Sequence, residues 1–236
     1  EDGYEDKGML LRRADAMMSW VESGEPLLTR DDNADYSAVV TIDLSTVTEP
    51  LVSCPNLPDN IRKLSHEDCA KKPIDEVFIG SCMTNIGHFR AAERILRGRE
   101  TKSKLWMAPP TRMDEAQLKK EGCLASLAKA GVRIEIPGCS LCMGNQARVA
   151  PKAAVFSTST RNFNNRMGDG AKVFLGSAEL AAVVALMGRI PTPEEYLAEY
   201  RRAITPDKDA IYKYLFFHQP EYSAMARVSH DIEDTS

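Results

Sequence analysis

A chain of 236 residues, 43% hydrophobic and 27% charged, can bury a full core and is not a disordered or low-complexity segment. A formal net charge of −4 argues against a protein that grips nucleic acid mainly through its phosphates. The longest apolar run, residues 180–187, is too short to cross a bilayer, and the acidic opening Glu1-Asp2-Gly3-Tyr4-Glu5-Asp6 lacks signal-peptide character.

The first periodic stretch, residues 9–21, predicts a helix with Leu10, Ala14, Met17 and Met18 on one face, stopped by Gly24-Glu25-Pro26. A polar turn follows, and Val39-Val40-Thr41-Ile42-Asp43-Leu44 predicts a strand. Pro50, Pro55 and Pro58 mark a long irregular stretch. Residues 76–79 predict a strand leading into a Cys82 loop and a helix over 86–96, with Ile86, Phe89, Ala92 and Leu96 as its buried stripe. The mixed charges of 97–102 read as a solvated turn. A strand over 104–108 stops at Pro109-Pro110, and one helix runs from Asp114 through Leu118, Leu124 and Leu127 to Ala130, ending at Gly131. Strands are expected over 133–136, 153–158 and 172–175. Ser177 then caps a helix carrying Leu180, Val183, Val184 and Met187. Pro191-Thr192-Pro193 opens another helix with Tyr196, Leu197 and Tyr200 apolar, residues 207–217 form one more, and the chain closes on a polar tail.

Strands alternating with helices predict an α/β fold, a largely parallel sheet flanked by helices, with a helical C-terminal tail. The expected organisation is an N-terminal helical segment over 1–35, an α/β domain over 36–190 and a helical extension with its tail over 191–236.

The residues that carry chemistry collect where strands end. Cys139 and Cys142 form a C-x-x-C pair in Ile136-Pro137-Gly138-Cys139-Ser140-Leu141-Cys142-Met143-Gly144-Asn145, and Cys82 lies in Gly80-Ser81-Cys82-Met83-Thr84-Asn85. Taken alone, that spacing suits half a zinc site, a redox pair or a cluster-ligand loop. No second C-x-x-C or H-x-x-x-H supplies a fourth zinc ligand. Arg161 and Arg166 flank a short Asn-Phe-Asn-Asn loop, and a guanidinium can fork a carboxylate with two hydrogen bonds. Spacing alone favours two surface arginines. All five residues follow the carboxyl end of a predicted strand, the edge at which open α/β sheets bind ligands.

Other residues are less telling. The hydroxyls of Ser157, Thr158, Ser159 and Thr160 suit a ligand or strand-end packing equally. Asn145 and Gln146 are candidates to orient the second cysteine loop. His88 reads as a packing or surface residue, and His66, His218 and His230 have no partner pattern. Cys54, Cys69 and Cys123 read as buried free thiols, which suits a reducing cytoplasm.

Three stretches in this order resemble the aconitase family, most closely its bacterial B branch: the Cys82 loop, residues 137–146, and Ser157-Thr158-Ser159-Thr160-Arg161-Asn162-Phe163-Asn164-Asn165-Arg166. Met83, inserted between the cysteine and Thr-Asn, is a mark of that branch, and the likeness runs from about Leu11 to about Tyr214. The resemblance implies that Cys82, Cys139 and Cys142 hold a [4Fe-4S] cluster whose fourth iron is open as a Lewis acid. It implies that Arg161 and Arg166 bind the carboxylates of citrate, cis-aconitate or isocitrate in a hydro-lyase. It also implies that the serine base and an Asp-His pair lie in further aconitase domains, so no catalytic residue is expected here and the chain alone should be inactive. The start without Met agrees with a C-terminal, cluster-bearing piece of a longer chain. Alternatives are the related 2-methylisocitrate reaction, a structural zinc module, and RNA binding by the full-length protein once its cluster is lost. Nothing in this acidic stretch indicates RNA or a membrane.

Overall fold

The computed structural model describes residues 7–24, 31–143 and 147–213. They fall into two compact units, one ending at Leu44 and one beginning at Ser45.

In the first unit, α1 (Lys7–Ser23) forms where the spacing predicts it and stops before Gly24, whose φ of 70° is left-handed. The apolar side chains of Leu10, Met17 and Met18 stay exposed. The strand expected over 39–44 is absent. Val39, Val40 and Ile42 are 81%, 80% and 71% exposed, and residues 39–43 are irregular. Strand propensity is a preference for a pleated, half-buried surface, and no described strand pairs with this run.

The second unit is built on seven strands: β1 (Leu51–Ser53), β2 (Ile61–Lys63), β3 (Glu76–Gly80), β4 (Lys104–Ala108), β5 (Arg133–Ile134), β6 (Ala154–Ser157) and β7 (Lys172–Leu175). Their order is β2-β1-β7-β6-β3-β4-β5. From β7 to β5 all neighbours are parallel, whereas β1 and β2 form an antiparallel hairpin beside β7. The stretch expected to be irregular thus supplies two short strands. Pro55 and Pro58 fall in their connection, where no ladder N–H is missed.

The helices of this unit are α2 (Ile86–Leu96), α3 (Arg112–Lys120), α4 (Cys123–Lys129), α5 (Ser140–Met143), α6 (Ala178–Met187), α7 (Pro193–Ala203) and α8 (Lys208–Ile211). The single helix expected from Asp114 to Ala130 is two, because Gly122 takes a φ of 76° between them. Thr111 caps the first, its Oγ1 accepting from Asp114 N at 3.1 Å. The strand expected over 133–136 is only two residues long. The helix expected over 207–217 is the short α8, and the part from residue 214 onward lies outside the described residues.

The two faces of the sheet have different covers. Val77, Ile79, Leu105, Met107, Phe156 and Phe174 belong to one core with the buried faces of α2, α4, α6 and α7. Phe78, Trp106, Val155 and Val173 pack instead with Leu141, Cys142, Val149, Met167 and Ala171. Side chains of this size each contribute about 1.5–3 kcal/mol when fully buried. Being buried on both faces, β3 reads after Glu76 as a continuous apolar run, Val77-Phe78-Ile79-Gly80, rather than an alternating one. After β5 the chain crosses β4 and β3 to enter β6, so the strand order reverses between β3 and β6. In open sheets that reversal point is where a ligand crevice forms, at the carboxyl edge. The Cys82 loop leaves β3 there, and the arginine loop leaves β6 there.

Candidate functional site

The Cys82 loop is set by close approach of strands. At Gly80 a Cβ would meet Ala108 O at 2.6 Å, so a side chain is excluded. Ser81 follows, fully buried, with a left-handed φ of 72°. That conformation costs a non-glycine residue about 1–2 kcal/mol. It is held by Ser81 N donating to Ala108 O at 3.2 Å, while Ser81 O accepts from Thr84 N at 3.0 Å and Thr84 Oγ1 at 2.7 Å. The turn brings Cys82 to the surface just before α2. Asn85 caps that helix, its Oδ1 accepting from Gly87 N at 2.9 Å, and His88 Nδ1 accepts from Asn85 N at 3.1 Å. His88 therefore serves the helix start, where a packing or surface role was expected.

The second loop follows β5. Glu135 N donates to Met107 O at 2.7 Å and Gly138 N to Pro109 O at 3.2 Å, which carries the chain along β4 to Cys139. Cys139 is exposed, whereas Cys142 on α5 is buried in the second core. Beyond the loop, Ala150 N donates to Glu76 Oε1 at 2.8 Å, and Glu76 Oε2 accepts from Trp106 Nε1 at 2.8 Å. A buried carboxylate thus ties the returning chain to the sheet. Asn145 and Gln146 lie outside the described residues.

The third loop follows β6. Thr158 N donates to Phe78 O at 3.1 Å and Thr158 Oγ1 accepts from Gly80 N at 3.0 Å. Ser157 Oγ donates to Ser159 Oγ at 3.0 Å. These hydroxyls do strand-end packing. Arg166 is buried, its Nη1 donating to the Arg161 carbonyl and its Nη2 to Cys142 Sγ at 3.0 Å, with its guanidinium 5.7 Å from the Phe163 ring centroid. Arg161 is exposed, and its guanidinium has no hydrogen-bond or ion-pair partner among the described residues.

The Cys139 thiol is held above its ordinary value, first by desolvation, then by the nearby thiols of Cys82 and Cys142 and a hydrogen bond with Cys82, against the pull of Arg166. Cys82, Cys139, Cys142 and Arg166 therefore feel one another, although they come from three loops. Cys54, Cys69 and Cys123 are buried free thiols. Burial first, then the contact with Cys54 at 3.3 Å, pushes Cys69 up to about 12. Burial and the Glu93 carboxylate push Cys123 to about 11.

A profile of the aconitase family (aconitate hydratase) matches residues 9–188, a span that contains all three loops. The chain belongs to the aconitase family. Aconitate hydratase B of Synechocystis sp. is 56% identical over 218 residues, covering 92% of this chain and 25% of that protein. Aconitate hydratase B of Escherichia coli is 56% identical over 222 residues, with 92% and 25% covered. The homoaconitase large subunit of Thermus thermophilus is 39% identical over 170 residues, with 70% and 40% covered. This aconitase-family chain thus spans about a quarter of the length of its aconitate hydratase B relatives.

The family implies an iron–sulfur cluster, and the donor set suits one. Among the described residues no three His, Cys, Asp or Glu side chains converge around a point for a single metal ion. A cubane, by contrast, is gripped from outside by thiolates standing further apart. Were Cys82, Cys139 and Cys142 the donors, the set would be all sulfur, one of them already accepting from a guanidinium, and would leave one iron of a four-iron cube without a protein ligand. Two residues of this site escape a reading of the chain alone in their roles: Glu76 and the left-handed Ser81. Only the serine carries any local signal, in the glycine before it.

Proposed function

We propose that the chain is the cluster-bearing, carboxylate-binding part of an aconitate hydratase that interconverts citrate and isocitrate through cis-aconitate. The observation that carries this reading is the 3.0 Å contact between Arg166 Nη2 and Cys142 Sγ. It joins the arginine loop to the cysteine loop, so an anion gripped by the arginines would lie beside the thiols that would hold the metal.

In this reading Cys82, Cys139 and Cys142 hold a [4Fe-4S] cluster. When bound, the cluster supplies an open iron, a Lewis acid for the substrate hydroxyl that leaves and for the adjoining carboxylate. Arg161, exposed and without a partner among the described residues, offers its planar fork to a second carboxylate. Arg166 adds fixed positive charge beside Cys142, which steadies both that thiolate and an incoming anion. Its grip on the Arg161 carbonyl keeps the two arginines in register. Proton transfer falls to a serine base and an Asp-His pair in further aconitase domains, which act as partners to this chain in the cytoplasm.

The test is hydration of cis-aconitate by the complete, cluster-loaded enzyme. Alanine at Cys82, Cys139 or Cys142 should each abolish it, while alanine at Cys123 should leave the rate per folded molecule unchanged. Full activity in any of the first three variants removes that cysteine from the site. Running 2-methyl-cis-aconitate beside cis-aconitate determines which of the two substrates the arginines serve.

A further inference from the structure

We infer that Asn162 is the positioning residue of the arginine loop, setting the direction of Arg161 by clamping the loop at once to β7 and to the chain just beyond β1. The inference rests on the proposed role of Arg161 in binding carboxylate.

Asn162 lies between two exposed residues, Arg161 and Phe163, yet is itself only 1% exposed. Its Nδ2 donates to Cys54 O at 2.9 Å, just beyond β1, and to Val173 O at 2.8 Å, in β7. Both facing groups are carbonyls, so only one orientation of the amide is possible, with both N–H bonds used. Its Oδ1 is buried without a partner among the described residues. A residue serving packing alone would not need to bury an unsatisfied acceptor, since an apolar side chain of the same shape fills the space.

The rest of the loop has little else to hold it. Among the described residues, no backbone N–H from 160 to 163 donates a hydrogen bond to the sheet. The next anchor is Asn165, left-handed with a φ of 63°, whose Oδ1 accepts from Gly170 N at 2.8 Å. The Asn162 amide is thus the pin nearest to Arg161 that ties the loop to the sheet. Its effect passes further along the loop, because the Arg161 carbonyl receives Arg166 Nη1, and Arg166 Nη2 reaches Cys142 Sγ. A small misplacement of such a chain is amplified at a reacting centre.

The test compares Asn162→Leu, Asn162→Ser and Arg161→Lys with the parent in the complete, cluster-loaded enzyme. Leucine keeps the volume and removes both donors, while serine keeps one donor on a shorter arm. KM and kcat for citrate, melting temperature, iron content and hydrogen exchange over residues 158–166 are measured together. Asn162→Leu should raise KM by about 10-fold, the effect of misplacing one charge-assisted contact, with Asn162→Ser between it and the parent. Exchange should quicken in the loop and not in β7. A purely structural role would lower the folded fraction, and with it the apparent kcat, but KM does not depend on how much enzyme is folded. Unchanged KM in the asparagine variants, alongside a raised KM in Arg161→Lys, overturns the inference and leaves the binding reading intact. Unchanged KM in Arg161→Lys removes both. If Asn162→Leu does not fold, the KM of Asn162→Ser decides.

Discussion

The Arg166 guanidinium is buried against Cys142 and the Arg161 carbonyl, while that of Arg161 stands in solvent. The two arginines should therefore respond differently to the same change. Arg161→Lys keeps the charge and loses the fork, a loss of about 1.5–3 kcal/mol, so kcat/KM should fall about 10- to 100-fold. Melting temperature and iron content should barely move, because an exposed loop side chain supports little of the core. Arg166→Lys replaces the two nitrogens that reach these acceptors, Nη1 and Nη2, with a single nitrogen on a shorter arm, so activity and iron content should fall together. Kinetics, melting and iron analysis on both variants check this. The cysteines were readable in the sequence because their loops carry short motifs. The contact between Arg166 and Cys142 was not, since it joins loops 24 positions apart, and the clamp from Asn162 to Cys54 spans 108.

At the scale of elements, backbone geometry governs what each segment tolerates. Two glycines make the contrast. Gly122 holds a φ of 76° between α3 and α4, and nothing lies within 4 Å of a Cβ built there. Gly122→Ala should cost only its backbone strain, about 1–2 kcal/mol. At Gly80 the methyl would meet Ala108 O at 2.6 Å and Ala108 N at 3.0 Å, both backbone atoms. Gly80→Ala must force β3 from β4 and should cost about 3 kcal/mol, the upper end for overpacking. It should also displace the Cys82 loop. Urea melts of both variants give the comparison.

The start of α7 offers a test by pH. Glu195 is held near 2, below its ordinary 4.5, first by hydrogen bonding to Arg189 and then by Thr192 N. The folded value is depressed, so the stabilisation is full above pH 4.5 and is lost as pH falls through about 2. The pair is about a third exposed, so solvent screening limits it to about 1 kcal/mol. Glu195→Gln should be less stable than the parent at neutral pH, with the gap closing as the medium is acidified. A gap that persists unchanged at low pH contradicts the assignment. The starts of α6 and α7 could be read, because Ser177 and Thr192 each bring a capping hydroxyl just before the helix. The run over 39–44 could not, because a strand needs a partner that propensity does not reveal. The division between α3 and α4 could not either, because a helical apolar pattern continues across Gly122.

For the whole molecule, the parallel block of strands is what makes a site from distant loops. Five strands point their carboxyl ends to one edge, and the order reverses between β3 and β6, where the Cys82 and arginine loops leave. The alternation of strands and helices announced that sheet. The hairpin of β1 and β2, which supplies the Cys54 carbonyl to Asn162, was hidden behind prolines that read as loop. The second core differs from the first in what covers it: the chain around the cysteine loop rather than long helices. Metal binding and the order of that covering chain should therefore be linked. The central claim is that Cys82, Cys139 and Cys142 together hold one four-iron cluster. The most direct measurement is the iron, sulfide and zinc content per chain after anaerobic reconstitution, for the parent and for alanine at each of the three positions. The account requires about four irons and four sulfides in the parent, without zinc, and loss of both in every variant. Zinc in place of iron, or undiminished iron and sulfide in any one variant, would contradict it.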